Sequence, residues 1–345
     1  MAPTREQMTM GEGMDALVNV EVSGRGVVGA MHAAARQAQD GPLCLTAATR
    51  LLAEVHRRDV VLLATGLPIP PWFRGEQDGP VGTATLARAL VLATGACPVV
   101  VTDPANVDLC AAAIGGAGLH VGTVEDARRL PTTAAVLGFP LDWDAAEARA
   151  VELMDALRPA ALVAVERPGA NEHGHYHSAS GKRLTDHCAK VDTLFRVARE
   201  REVLTVGVGD GGNELGCAKI RDAVLRVVPH AGRCACPCEG TVVPVVDTDV
   251  LVTAAISNWG AYGIEAALAM LAGRRELMHS RELDARVYDR CVRAGANDAD
   301  SGLLDPGADG VPAPLHGHIV DLLDCMVQNG LDFGKMYREP RYPWL

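Results

Sequence analysis

The stretch Val203-Leu204-Thr205-Val206-Gly207-Val208-Gly209-Asp210-Gly211-Gly212-Asn213-Glu214-Leu215 joins an apolar, β-rich run to an acidic glycine turn, and a helix-like run begins near Leu215. Glycines let the backbone turn with φ > 0 and bring amides close to a ligand. A helix that follows such a turn aims its first free N–H groups into the same space. Asp210, Asn213 and Glu214 present only oxygen and amide groups, which suit magnesium, manganese or calcium better than zinc. A simple helix cap is the alternative, but a cap needs one such residue rather than three.

The same strand-then-turn pattern recurs through the chain. Val60 to Ala64 leads to Thr65-Gly66, Cys97 to Val101 to Thr102-Asp103, Ala161 to Val165 to Glu166-Arg167, and Val250 to Ile256 to Ser257-Asn258-Trp259-Gly260. Continuously apolar strands are buried on both faces, so the pattern predicts an α/β fold: a mostly parallel sheet flanked by helices on both faces, with the site at the carboxyl ends of the strands. Helical spacing is read over Val27–Gln39, Leu45–Arg57, Thr83–Thr94, Pro104–Gly115, Trp143–Leu157, Val191–Glu202, Gly263–Gly273, Ser280–Ala294 and Ile319–Val327. The expected organisation is a flexible N-terminal segment over residues 1–20, one elaborated domain over 21–335 and a tail over 336–345. The Gly/Pro/His-rich Pro168–Gly181 stretch reads as a long loop over a site rather than a linker.

With 345 residues, 48% of them hydrophobic, the chain has material for a large core. A formal charge of −11 argues against nucleic acid as a partner, because phosphate binding needs clustered Lys and Arg. No apolar run of membrane-spanning length and no leader-like N-terminus is seen, so the expectation is no membrane and a cytoplasmic address. A homo-oligomer is left open.

Several segments carry residues suited to chemistry. Glu76 and Asp78 end a proline-stiffened loop just before Gly79-Pro80-Val81-Gly82, where they can bind a cation or hold an amine, or merely favour a helix N-terminus. Asp103 and Glu166 follow strands directly, at the rim where Asp210 and Glu214 also lie. Like charges at about 4 Å repel by roughly 4 kcal/mol at an effective dielectric of 20, so a cation or a raised pKa must relieve such a gathering. Asp103 can instead cap a helix. Arg25, flanked by glycines, can face an anionic ligand or sit in a solvated loop. His173, His175 and His177 alternate around Tyr176; they can bind zinc or form a pH-sensitive lid, and Tyr176 or a histidine can relay protons. Cys234, Cys236 and Cys238 form a C-x-C-x-C run that reads first as a loop or edge strand, with metal binding or redox pairing as alternatives.

Glu166-Arg167-Pro168-Gly169, His173-Gly174-His175-Tyr176, Val206 through Gly216 and Ser257-Asn258-Trp259-Gly260-Ala261-Tyr262, with Thr65-Gly66 and Asp78 through Gly82 before them, resemble the D-glutamate cyclase family in the family's order. The resemblance implies an α/β lyase that converts D-glutamate, a small acidic amino acid, to 5-oxo-D-proline and water. On that reading a divalent cation, manganese or magnesium first and calcium as an alternative, would be held by Asp103, Glu166, Asp210 and Glu214 and would polarise the γ-carboxylate. Glu76, Asp78, Glu166 and Tyr176 would supply catalytic groups. Arg167, Gly211, Gly212, Asn213, Ser257 and Asn258 would bind substrate. The rivals are a divalent-metal phosphatase or hydrolase using the same acidic pocket, and a non-catalytic metal or amino-acid binding module.

Overall fold

The computed structural model describes residues 3–336. Seven strands form one parallel sheet: β1 (Val60–Thr65), β2 (Cys97–Thr102), β3 (His120–Gly122), β4 (Thr133–Gly138), β5 (Ala161–Val165), β6 (Leu204–Gly209) and β7 (Val250–Thr253). Their spatial order is β3-β4-β2-β1-β5-β6-β7. The chain leaves β1 toward β2 on one side and later returns to β5 on the other, each pairing with β1 in parallel. The strand order therefore reverses between β1 and β5, which opens a crevice at their carboxyl ends.

Period-2 geometry divides the apolar strands between two cores. Val61, Leu63, Val100, Val163, Val206 and Val208 pack with the helices Leu43–Glu54, Pro80–Thr94 and Ser257–Ala272. Leu62, Ala64, Val99, Val101, Leu162 and Ala164 pack against Trp143–Leu157 and Asp192–Glu200 on the other face. The helix Ser257–Ala272 is buried from Ser257 through Met270. Its all-round apolar sequence suits a helix enclosed by other helices rather than one lying on the surface. This rigid element carries the back wall of the site.

The fold class expected from the strand pattern is the one observed, with differences at particular elements. The edge strand β3 and its neighbour β4 lack a long β-branched run; β3 is short and exposed, and β4 is Ala-rich and opens to solvent toward Gly138. The seventh strand stops at Thr253, and Ser257-Asn258-Trp259-Gly260 form a first helical turn instead of a loop. No helix starts at Leu215: a 3₁₀ turn over Cys217–Ile220 precedes a short helix, Arg221–Val227. Residues 1–20 do not form a loose segment throughout. Arg5–Val18 is a helix opened by a Thr4/Gln7 capping box. Its Met14 and Val18 are fully buried, and Asp15 accepts hydrogen bonds from the Leu43 and Cys44 amides. A period diluted by glycine and methionine hid this helix. The expected 336–345 tail lies outside the described residues except for Met336, which ends the helix Ala313–Met336. Among the described residues, no helix is long and apolar enough to cross a membrane.

Candidate functional site

Three carboxylates meet at the crevice. Glu166 is the first residue after β5, Asp210 the first after β6, and Asp78 ends the loop that follows β1. All three are buried, and each offers an oxygen within 4.8 Å of the other two. Backbone geometry forces the approach. Glu166 adopts φ 46°, which turns the chain sharply as it leaves β5. Gly79 adopts φ 90°, and a Cβ there would meet Glu166 Cβ at 2.8 Å and Val165 O at 2.9 Å, so only glycine lets the helix Pro80–Thr94 begin this close to β5.

The first turn of Ser257–Ala272 holds the acids in place. Asp78 accepts hydrogen bonds from the Asn258 amide at 2.8 Å and the Ser257 amide at 3.0 Å, as a helix N-terminus favours. The Ser257 hydroxyl donates to Glu166 Oε2 at 2.6 Å. Asn258 Oδ1 accepts from the Gly79 and Gly82 amides at 2.9 and 2.7 Å. Ser257 and Asn258, expected to bind substrate, are fully buried and position the carboxylates instead.

In front of this wall lies a cavity of about 470 Å³ whose lining includes Glu76, Glu166, Asp210, Gly211, Asn213 and Glu214, together with Arg25, Lys182 and Asp309. Burial, reinforced by Asp78 and Asp210, pushes the Glu76 carboxyl well above its usual range. Asp78 is raised to about 8 by burial and by Asp210. Glu166 is raised well above the carboxylate range by burial and by Glu214, Asp210, Asp78 and Glu76. Arg25 answers part of this charge, donating to Asp210 at 3.1 Å and to the Ala255 carbonyl at 2.8 Å. All donors in the Asp78/Glu166/Asp210 set are carboxylate oxygens whose mutual repulsion Arg25 relieves only in part, a chemistry that fits a hard divalent cation.

Other residues singled out in the sequence lie elsewhere or act otherwise. Asp103 stands apart from the trio: its two oxygens accept from Arg167 at 2.8 Å, and Oδ1 also takes the Ala189 amide. Arg167 is wholly buried, donates as well to the carbonyls of Gly66 and Ala189, and does not line the cavity. It locks the loops after β1 and β2 to the segment before Asp192–Glu200. Tyr176 is fully buried, donates to Asp192 and does not line the cavity. Glu214 lines the cavity, but its oxygens accept from the Gly211 and Gly212 amides at 2.7 and 2.8 Å and from the Cys217 thiol. It closes its own turn, and the Gly211 and Gly212 amides are spent on it rather than on an anion. Asn213 reaches the cavity and also donates to the His177 carbonyl at 3.0 Å. Of the three histidines His173 is exposed, His175 half-buried and His177 buried, and among the described residues only His177 joins a group with metal-ligand spacing.

Asp309, Lys182 and His230 join the lining without having stood out in the sequence. Asp309 comes from an Asp/Gly/Pro-rich stretch whose composition resembles any surface loop. Its left-handed φ of 53° before Gly310 is a turn signal and nothing more.

A doubly wound parallel sheet with an oxygen-donor acidic cavity at its switch point defines a class of α/β proteins that bind small ligands there. Within it, this chain belongs to the D-glutamate cyclase-like, C-terminal family, which it matches over residues 14–324. It is 32% identical over 228 residues to the mitochondrial D-glutamate cyclase of Homo sapiens, an alignment covering 63% of this chain. The same alignment covers 33% of the human protein, so the chain spans about a third of that relative's length. The human relative's name gives a mitochondrial address, unlike the cytoplasmic one expected from the sequence here.

Proposed function

We propose that this protein is a metal-dependent lyase that closes D-glutamate, or a closely related small acidic amino acid, to 5-oxo-D-proline and water. The observation that carries the reading is the buried Asp78/Glu166/Asp210 trio, two of whose members, Glu166 and Asp210, line one cavity with Glu76. Asp78, Glu166 and Asp210 would hold the cation, manganese or magnesium. When bound there, a divalent ion supplies Lewis-acid polarisation of a carboxylate that is otherwise a poor electrophile.

The chain's own residues meet the remaining needs. Lys182, at the exposed part of the cavity wall, offers an ammonium to the substrate's α-carboxylate. Ring closure forms a bond from the α-nitrogen to the carboxylate carbon, Cδ, and breaks one of its two C–O bonds. The ammonium loses two protons, and the departing oxygen needs those two to leave as water. One carboxyl that both accepts and returns protons therefore serves the whole reaction, and Glu76, raised by its buried and acidic surroundings, lies on the cavity to do so. Enclosure in about 470 Å³ holds both ends of a short substrate together, an effect worth roughly 7 kcal/mol or more where alignment is good.

The test is incubation of purified protein with D-glutamate, L-glutamate and a panel of phosphomonoesters, with and without manganese, read by chromatography of 5-oxoproline and by phosphate release. Manganese-dependent 5-oxoproline from D-glutamate is the expected result. Phosphate release without 5-oxoproline, or tight ligand binding with no product, would overturn the assignment.

A further inference from the structure

A second cluster lies apart from the acidic trio. His177, Cys234, Cys236 and Cys238 present their ligand atoms within 4.8 Å of one another. The three sulfurs are mutually 3.3–3.4 Å apart, and His177 Nε2 lies 3.3 Å from the Cys236 sulfur and 3.6 Å from that of Cys238. A disulfide would bring two sulfurs to about 2.05 Å and leave the third over. Here no pair is favoured, and all three thiols and one imidazole nitrogen point at a common centre. Four ligands at about 2.3 Å (sulfur) and 2.0 Å (nitrogen) from a tetrahedral ion would stand roughly 3.5–3.8 Å from one another, so the cluster needs only a few tenths of an ångström of expansion.

We propose that His177, Cys234, Cys236 and Cys238 form a structural zinc site. The donor set separates it from the first site: thiolate and imidazole ligands select zinc, whereas the all-carboxylate trio suits manganese or magnesium. Four protein ligands close the coordination sphere and leave no position for substrate. His177 is fully buried and Cys234 nearly so, while Cys236 and Cys238 are half-buried, which gives the ion a path of entry. The Asn171 amide lies 3.8 Å from the Cys238 sulfur and also donates to the Thr241 carbonyl, so it can steady that thiolate from outside the sphere.

The position explains why a staple is useful there. The segment around Cys234–Cys238 has no helix or strand, and few backbone bonds tie it down besides Cys234 N to Gly240 O and Ala235 N to Gly181 O. One end of the proposed clip sits in the loop that supplies Ser178, Ala179, Ser180 and Lys182 to the cavity, and the other follows Val228, Pro229 and His230, which also line it. The His177 carbonyl meanwhile holds the Asn213 side chain of the glycine turn. Zinc would join these two walls and fix the turn through His177, without touching substrate.

The test uses the full chain expressed with added zinc and analysed by plasma mass spectrometry after removal of loosely bound metal. About one zinc per chain is expected, falling at least tenfold in Cys234→Ser and in His177→Ala. Because either variant can lose structure, wild-type protein stripped of zinc is also titrated with cobalt(II). Intense thiolate-to-cobalt absorption with the strong visible bands of tetrahedral coordination, saturating at one equivalent, is the expected signature. Limited proteolysis of the stripped protein should cut the 171–240 region several-fold faster, and zinc, not manganese, should restore protection. The proposal is overturned by zinc-free protein with no cobalt–thiolate absorption, by a Cys–Cys disulfide in the native chain, by stoichiometric iron and sulfide in place of zinc, by zinc content unaffected in both variants, or by protection that manganese restores equally. None of these outcomes depends on turnover of D-glutamate.

Discussion

Glu166→Gln should stabilise the metal-free protein and remove its response to manganese. The Ser257 hydroxyl that donates to Glu166 Oε2 at 2.6 Å keeps an acceptor in the glutamine carbonyl, so the hydrogen-bond pattern survives and only charge is lost. Glu166 lies within 4.8 Å of both Asp78 and Asp210. One such pair of full charges repels by at least about 3.5 kcal/mol at an effective dielectric of 20. Protonation limits what the native state must bear: neutralising an ordinary carboxyl of pKa about 4.5 at pH 7 costs roughly 3.4 kcal/mol, so the total strain from this side chain is capped near that figure. Part of the cost is shared with Arg25, which stabilises the neighbouring Asp210. The variant in EDTA should therefore be more stable by about 1–3 kcal/mol, seen as a rise of several degrees in Tm by circular dichroism. In manganese at a hundred times its Kd the wild type should gain about 2.7 kcal/mol, and the variant far less. A variant that melts below wild type in EDTA and gains as much from manganese would refute the idea that this trio is a cation site held under charge repulsion.

Other outcomes follow from the same geometry. Glu76→Gln should lower kcat for 5-oxoproline formation by roughly 10²–10⁴ with little change in manganese affinity, measured by steady-state kinetics and by calorimetry. Asp103→Asn should cost about 3–5 kcal/mol in urea unfolding, because it strips the buried Arg167 of its partner. Tyr176→Phe should retain kcat within a few-fold while losing about 1–3 kcal/mol of stability, since only its bond to buried Asp192 is removed. His279 is buried between Glu265, 2.7 Å away, and Asp284, 3.5 Å away. Burial alone would depress its pKa, but the two carboxylates outweigh this and raise it to about 10. A raised folded-state value means its stabilisation is complete below about pH 6.5 and drains away as pH climbs toward 10, so urea midpoints should fall over that window. In His279→Gln the protein should be less stable at pH 7 and its midpoint should vary less with pH across the same range.

Much of the architecture was legible in the chain because its signals are local. Five apolar runs, each ending in a polar turn, state a buried parallel sheet through period and composition alone. The edge strand His120–Gly122 and its neighbour Thr133–Gly138 escape that reading because partial exposure removes the apolar run that marks a central strand. The family resemblance was equally readable, since its motifs are contiguous strings.

The sequence by itself determined the sheet, the rim on which the acids stand and the family to which the chain belongs. Only the tertiary structure decided which acids share a cavity. Asp103 and Glu166 occupy equivalent positions after adjacent-looking strands, yet Asp103 pairs with Arg167 while Glu166 meets Asp78 and Asp210. Likewise Glu214 turned back on the amides of Gly211 and Gly212, and Cys234, Cys236 and Cys238 found His177 some 60 residues away. The physical reason is that propensity and periodicity act over a few residues, whereas a carboxylate or thiol takes whichever partner the folded chain brings within about 3–4 Å, and that choice is not written in its neighbours.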